Sequence, residues 1–275
     1  MSAAPPTMRL APRPKYLALA LVAMQRSLAY RGTLLLSMVS NLVWVAVLYY
    51  LWRAVFAAHR SVGGFDWDRM RTYVVLSYGV NVLLSFNSEA RMMATIRTGE
   101  VASELARPID YLRAQLAQAL GSAVVEGLLG GALALLLGVV ALHILAPASV
   151  AAALLFLPSV ALGFLVKFLI SYLTGLLCFW TVNSLGLLWA RAALTNVLSG
   201  ALIPLQLFPD ALRGLALASP FAAVVNAPVA IYLGTTTGAA LIGTLALQAA
   251  WVAILWALAR ALWIPSVRAL TVQGG

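Results

Sequence analysis

The stretch Glu89–Arg113, EARMMATIRTGEVASELARPIDYLR, holds eight of the chain's 18 basic and 8 acidic residues and lies between long apolar runs. A polar island of this kind in an apolar chain marks a segment on an aqueous face of a membrane protein. The rest of the composition agrees. At 63% hydrophobic and 9% charged, against roughly 25% charged in soluble domains, the chain cannot bury its apolar surface in a water-facing globule. It is dissolved in lipid, and residues 1–275 form one transmembrane domain.

The net charge of +10 does not point to nucleic acid, because no basic stripe is interleaved with aromatics. The basic residues stand beside apolar runs, as topology signals and headgroup anchors do. Cys178 is alone, within Leu176–Trp180, so a disulfide framework and a thiolate metal site are both excluded. Met1–Lys15, with Pro5, Pro6, Pro12 and Pro14, reads as a cytoplasmic leader without a signal-peptide cleavage pattern.

Outward from the polar island, the runs are measured against the roughly 20 residues that a helix needs to cross the hydrocarbon core. Tyr16–Arg31 is interrupted by Gln25 and Arg26 and is expected in the headgroup zone, so 1–31 is a leader plus an interfacial helix. Thr33–Trp52 is the first span, Arg53–Arg71 an aqueous loop, and Thr72–Ser88 the second span, with Asn81, Ser85 and Asn87 turned away from lipid. Ala114–Leu142 and Ser149–Thr181 follow as spans three and four. Gly127 and Gly131 form a GxxxG pair that admits a close helix, from the same chain or from a second copy. Ala192–Gly234 is too long for one span and is punctuated by Gly200, Pro204, Pro209, Pro220 and Pro228. It is expected to hold one span followed by a broken, partly re-entrant hairpin, the outer region being 207–237. Gly238–Leu262 is the sixth span.

Charge bias supports an even number of spans. With six, and both termini inside, the cytoplasmic face receives Arg9, Arg13, Lys15, Arg26, Arg31, Arg91, Arg97, Arg107, Arg113, Arg191, Arg260 and Arg268. With Arg53 counted at the edge of span one, Arg60, Arg69, Arg71 and Arg213 fall outside, a ratio of about three to one for Lys and Arg inside. Seven spans would place Arg260 and Arg268 outside.

Within the polar island, 89–113, Glu89–Ile96 is a short helix that Thr98-Gly99 ends. Arg107-Pro108 breaks the chain again, and Asp110 is placed to cap the helix entering span three. The segment is either a lever for a soluble partner or a solvated loop. No phosphate cradle ending in Lys-Ser or Lys-Thr is present in the sequence, since Lys15 precedes Tyr16 and Lys167 precedes Phe168. His59 and His143 lack a metal-ligand spacing, and no nucleophile elbow occurs. Catalysis by the chain is not expected.

Thr98-Gly99-Glu100 followed by Leu105-Ala106-Arg107-Pro108-Ile109 resembles the cytoplasmic signature of permease subunits of type-2 ABC transporters, the ABC-2 exporter family. Further matches are Tyr50-Leu51-Trp52-Arg53, Phe179-Trp180, Ser199-Gly200 with Ile203-Pro204-Leu205, Phe208-Pro209, Ser219-Pro220-Phe221, Ala227-Pro228 and Val272-Gln273-Gly274-Gly275. The likeness covers nearly the whole chain and is nearest to a bacterial group with mostly unassigned substrates.

The resemblance implies an all-α polytopic protein with an N-terminal interfacial helix, six transmembrane helices, a coupling helix between spans two and three, and re-entrant helices before the last span. Gly99, Glu100, Leu105, Arg107 and Pro108 would couple to a separate ATPase, present in two copies and carrying ATP and Mg. Gly200, Pro204, Pro209, Pro220, Phe221 and Pro228 would build the outer re-entrant region. A second permease, identical or a sister subunit, would complete the exporter in the bacterial inner membrane, moving a hydrophobic or amphipathic small molecule.

Glu126 and Lys167 fall within spans, roughly 18 and 21 Å from the cytoplasmic ends at 1.5 Å per residue. Each costs about 2.5–3.5 kcal/mol in isolation, so they are expected to pair, to line a translocation path, or to snorkel, unless a span boundary lies elsewhere. The rival function is a stand-alone channel or ion-coupled secondary transporter titrating Glu126.

Overall fold

A computed structural model describes residues 14–29, 31–84, 88–98, 100–106, 108–181 and 184–270. Among these the chain is all-α: α1 Lys15–Ala29, α2 Arg31–Ala58, α3 Trp67–Leu83, α4 Ser88–Thr98, α5 Val101–Leu105, α6 Tyr111–Val140, α7 Val150–Leu177, α8 Ser184–Leu198, α9 Asp210–Ala218, α10 Asn226–Tyr232 and α11 Ala239–Leu270. Among the described residues three stretches, Met38–Ala58, Val150–Leu177 and Ala239–Ala269, are long and apolar enough to cross a membrane. Large apolar side chains such as Trp189, 75% exposed, and Val150, 78% exposed, cover the outside, a surface that only lipid solvates. The protein is a multi-pass, membrane-embedded helical bundle.

The centre is built from α3 and α7. Helix α3 is buried nearly all round, from Met70 to Val82, and has no polar stripe for water. It packs against α6, α2 and α10, while α7 packs against α11 and α10. The close α3–α6 approach depends on glycine. A Cβ on Gly127 would stand 2.6 Å from the Leu83 carbonyl oxygen, and one on Gly131 2.6 Å from Leu83 side-chain carbons. The GxxxG pair therefore seats the end of α3 from the same chain.

Several boundaries differ from the sequence expectation. Helix α3, expected from the sequence to begin at Thr72 as the second span, begins at Trp67, because Asp66 accepts from the Arg69 amide at 2.8 Å and caps it. The loop before it is thus His59–Asp66, closed by a Val62–Phe65 bridge. The expected end of that span, Ser85–Asn87, lies outside the described residues. Helix α2 runs on through Arg53 to Ala58, since a lone charge on a long stem does not stop a helix. For the same reason α8 begins at Ser184, before Ala192, and carries Arg191 within it. Helix α11 continues past Trp263 to Leu270 and through Pro265, where the Ser266 hydroxyl donates to the Leu262 carbonyl at 2.6 Å.

Helix α1 runs along α6 in the same direction. The Tyr16 hydroxyl meets the Asp110 amide at 3.4 Å, the Ala20 carbonyl lies where a Gly121 side chain would be, and Ser27 reaches Glu126. Of the leader, residues 1–13 are outside the described residues.

Candidate functional site

The polar island forms two short helices, α4 and α5, meeting near Glu100. Gly99 and Arg107, both named from the sequence, lie outside the described residues. Glu100 is exposed, and its carbonyl accepts from the Ser103 hydroxyl at 2.8 Å. Leu105 packs partly against the core, and Pro108 follows in the bend before α6. The foot of α4 is anchored by Met92, 2% exposed, which fills the space where a Gly175 side chain would stand on α7.

One buried side chain joins the two arms. Gln115, 2% exposed on the second turn of α6, accepts from Arg91 Nη2 of α4 at 3.0 Å. Its amide donates to Glu104 Oε2 of α5 at 3.4 Å. A single amide thus uses its acceptor for one arm and its donor for the other, so a shift of either arm is felt at α6. Burial lowers the Arg91 guanidinium from its ordinary value, Glu104 opposes that, and Arg26 of α1 adds to it.

The exit of the segment is held from two other helices. The Pro108 carbonyl accepts from Lys15 Nζ at 3.3 Å, and the Asp110 amide donates to Tyr16. Asp110 Oδ1 accepts from the Arg113 amide at 2.9 Å, the expected cap of α6. Its other oxygen is ion-paired with Arg260 of α11, a residue on the opposite end of the chain. Beside that pair, the Tyr111 and Trp263 rings stack with centroids 4.7 Å apart. Two clefts flank the segment. One of about 480 Å³ lies between Glu104, Asp110, Trp263 and Arg268, and one of about 410 Å³ lies between α1, α4, α5 and α6.

Glu126 and Lys167 have separate partners. Glu126 Oε1 accepts from the Ser27 hydroxyl at 3.1 Å, whereas Lys167 Nζ donates to Asn81 Oδ1 at 3.0 Å and to the Asn81 carbonyl at 3.4 Å. Among the described residues no ion pair joins the two. Ser27 and Asn81 were not foreseen as partners, because hydroxyls and amides carry no charge to mark them in a sequence.

The proline-rich stretch after α8 is a chain of short elements. Gly200 adopts φ 80, and its carbonyl accepts from the buried Tyr73 hydroxyl of α3 at 2.6 Å. Pro204 precedes a 3-10 turn at Leu205–Leu207, and Pro209 stands at the N-cap of α9. Pro220 and Phe221 lie in the turn between α9 and α10, where the Phe221 carbonyl accepts from Val224. Pro228 sits in the first turn of α10, where its missing N–H breaks no helical bond. Gln248 of α11, 1% exposed, ties this region down by donating to the carbonyls of Ser159 at 3.1 Å and Ala223 at 2.8 Å.

Among the described residues no group of three His, Cys, Asp or Glu side chains is placed to hold a metal. His143 turns the loop after α6 at φ 48, and its carbonyl accepts from Arg71. The arrangement is a multi-pass helical membrane bundle with a braced polar helix pair between two of its helices. Residues 42–274 match the family described as ABC-2 family transporter protein, and the chain belongs to that family. A search of curated proteins found no match. The chain is therefore the membrane permease component of an ABC transporter, and family membership implies a partner ATPase for the ATP chemistry. Family membership also implies a dimeric permease arrangement.

Proposed function

We propose that the chain is one permease half of an ATP-driven exporter of a hydrophobic or amphipathic small molecule, with α4–α5 as the segment that docks into the ATPase. The observation that carries this reading is the Gln115 clamp. A loop with no mechanical task needs no buried amide holding both of its arms to a spanning helix, whereas a coupling lever does. Gly99, Glu100, Leu105, Arg107 and Pro108 would form the docking face, two ATPase copies serving two permeases, identical or sister subunits.

In this reading α2, α3, α6, α7, α8 and α11 are the six spans, α1 is the interfacial helix, and both termini are cytoplasmic in a bacterial inner membrane. Helix α8 has 15 residues, about 22 Å at 1.5 Å per residue. It crosses a core of about 30 Å only with the help of the Ser199–Pro204 turn or local thinning. The outer re-entrant region comprises Gly200, Pro204, Pro209, Pro220, Phe221 and Pro228. Glu126, held by Ser27 of α1, and Lys167, held by Asn81 of α3, serve the path through these polar partners. The charge bias and the apolar outer surface support this arrangement.

The experiment is co-purification and hydrolysis with the partner ATPase. Glu100→Ala, Arg107→Ala and Pro108→Leu should each lower ATPase association or substrate-stimulated hydrolysis with insertion intact. Wild-type transport and hydrolysis in all three would reduce the segment to a solvated loop.

A further inference from the structure

We propose that the cleft between α1, the coupling segment and α6 binds the headgroup of a zwitterionic phospholipid of the cytoplasmic leaflet, the phosphate on Arg26 and Arg91 and the ammonium on Glu100 and Glu104. This rests on the reading of α1 as an interfacial helix. The cleft measures about 410 Å³, within the range of about 300–1,000 Å³ for small-molecule sites.

Its lining has two halves. Arg26, Arg91, Glu100 and Glu104 bring two cations and two anions to one cavity, while Leu19 and Val22 of α1 give it an apolar lip. Val22 is 56% exposed, so the lip opens outward from the bundle. A ligand that is neutral overall, charged at both ends of its head and apolar behind it fits both halves. A purely anionic head would meet Glu100 and Glu104, and a soluble ion would leave the apolar lip wet.

The polar wall is also preset. Gln115 engages one Nη of Arg91 and one oxygen of Glu104, which fixes the orientation of both groups where they line the cleft. Arg26 and Arg91 repel one another across the cleft, and a phosphate between them relieves that. Because the wall is the clamp of the coupling segment, an occupied cleft would fix the spacing of α4 and α5, making hydrolysis responsive to the lipid.

The test is native mass spectrometry of the purified transporter complex, delipidated and then given phosphatidylethanolamine or phosphatidylglycerol. Wild type should retain phosphatidylethanolamine; Arg26→Gln and Arg91→Gln should each lower retention about five-fold or more, and Arg60→Gln should not change it. Glu100→Gln should shift the preference towards phosphatidylglycerol several-fold. Arg26→Gln alters an exposed side chain, so the arm does not depend on Arg91→Gln folding normally. Equal retention in all variants, or a wild-type preference for phosphatidylglycerol, would overturn the proposal. Full displacement by glycerophosphoethanolamine at equal concentration would overturn the lipid source in favour of a soluble phosphoamine. Arg26→Cys labelled by a non-permeant maleimide from outside intact cells would sink the interfacial reading separately, whatever the retention shows.

Discussion

Lys167 in the middle of α7 donates to Asn81 in the last turn of α3, through both the side-chain oxygen and the backbone carbonyl. The carbonyls at a helix C-terminus lack intrahelical partners and carry the negative end of the helix dipole. A lysine there meets partial negative charge without needing a carboxylate. Glu126 is met in the same way by the Ser27 hydroxyl, which α1 brings to it.

Asn81→Leu and Lys167→Met should therefore each lower thermal stability, by about 1.5–3 kcal/mol, the range for a hydrogen bond to a charged group. The double variant should recover much of the loss, because no stranded charge remains. Glu126→Gln combined with Lys167→Met should be additive. Thermal unfolding of the purified variants decides between the two patterns, and recovery in the Glu126/Lys167 pair would refute the separate-partner arrangement.

The Gln115 clamp predicts a split between insertion and coupling. Gln115→Leu, which keeps the volume and removes both hydrogen bonds, should insert normally yet lose most substrate stimulation of the partner ATPase. Gln115→Glu should keep the contact to Arg91 and oppose Glu104, giving an intermediate effect. Equal stimulated hydrolysis in wild type and both variants would mean that the clamp carries no signal.

Asp110 does two tasks that substitution can separate. Asp110→Asn keeps an oxygen for the Arg113 amide and loses only the ion pair to the half-exposed Arg260, a cost of about 0–1 kcal/mol. Asp110→Ala loses the cap as well, adding about 0.5–2 kcal/mol. A melting series on the two variants should rank alanine below asparagine, and an equal loss would assign the whole effect to Arg260.

Gly127→Ala should destabilise the α3–α6 contact, because its Cβ meets the Leu83 backbone oxygen, which cannot yield as a flexible side chain does. Gly214→Ala in α9, where nothing lies within 4 Å of the new carbon, should be neutral or gain about 0.5–1 kcal/mol. Comparable losses at both positions would contradict the close approach.

For topology, single cysteines at Gly63 and Arg213, introduced after Cys178→Ala, should react with a non-permeant maleimide in intact cells. Cysteines at Gly99 and Gly275 should react only after permeabilisation. Strong labelling of Gly275 in intact cells would end the six-span reading.

Composition and run length alone were enough to establish a membrane-embedded all-α chain, because apolar surface on this scale has no solvent but lipid. Local chemistry was legible too: the Asp110 cap, the turn at Gly200 and the proline-broken stretch before α11 all depend on residues within a few positions of one another. The order of motifs around Thr98–Ile109 carried the family. Helix ends were read less well at Asp66 and Arg191. Charge alone does not mark a helix end: Asp66, within the expected loop, caps α3, and α8 carries Arg191 on its long stem.

What only the tertiary structure decided is which side chains meet. Asp110 pairs with Arg260 from 150 positions away, Gln115 joins two arms on either side of a break, and Lys167 turns to Asn81 rather than Glu126. Equal depth along two helices says nothing about the angular position of each side chain, and a difference of one residue turns a side chain by 100° around its helix. Partners of neutral polar character, Ser27, Asn81 and Gln115, leave no mark in composition or charge. They become visible only when packing places each one against an ion that lipid would not solvate.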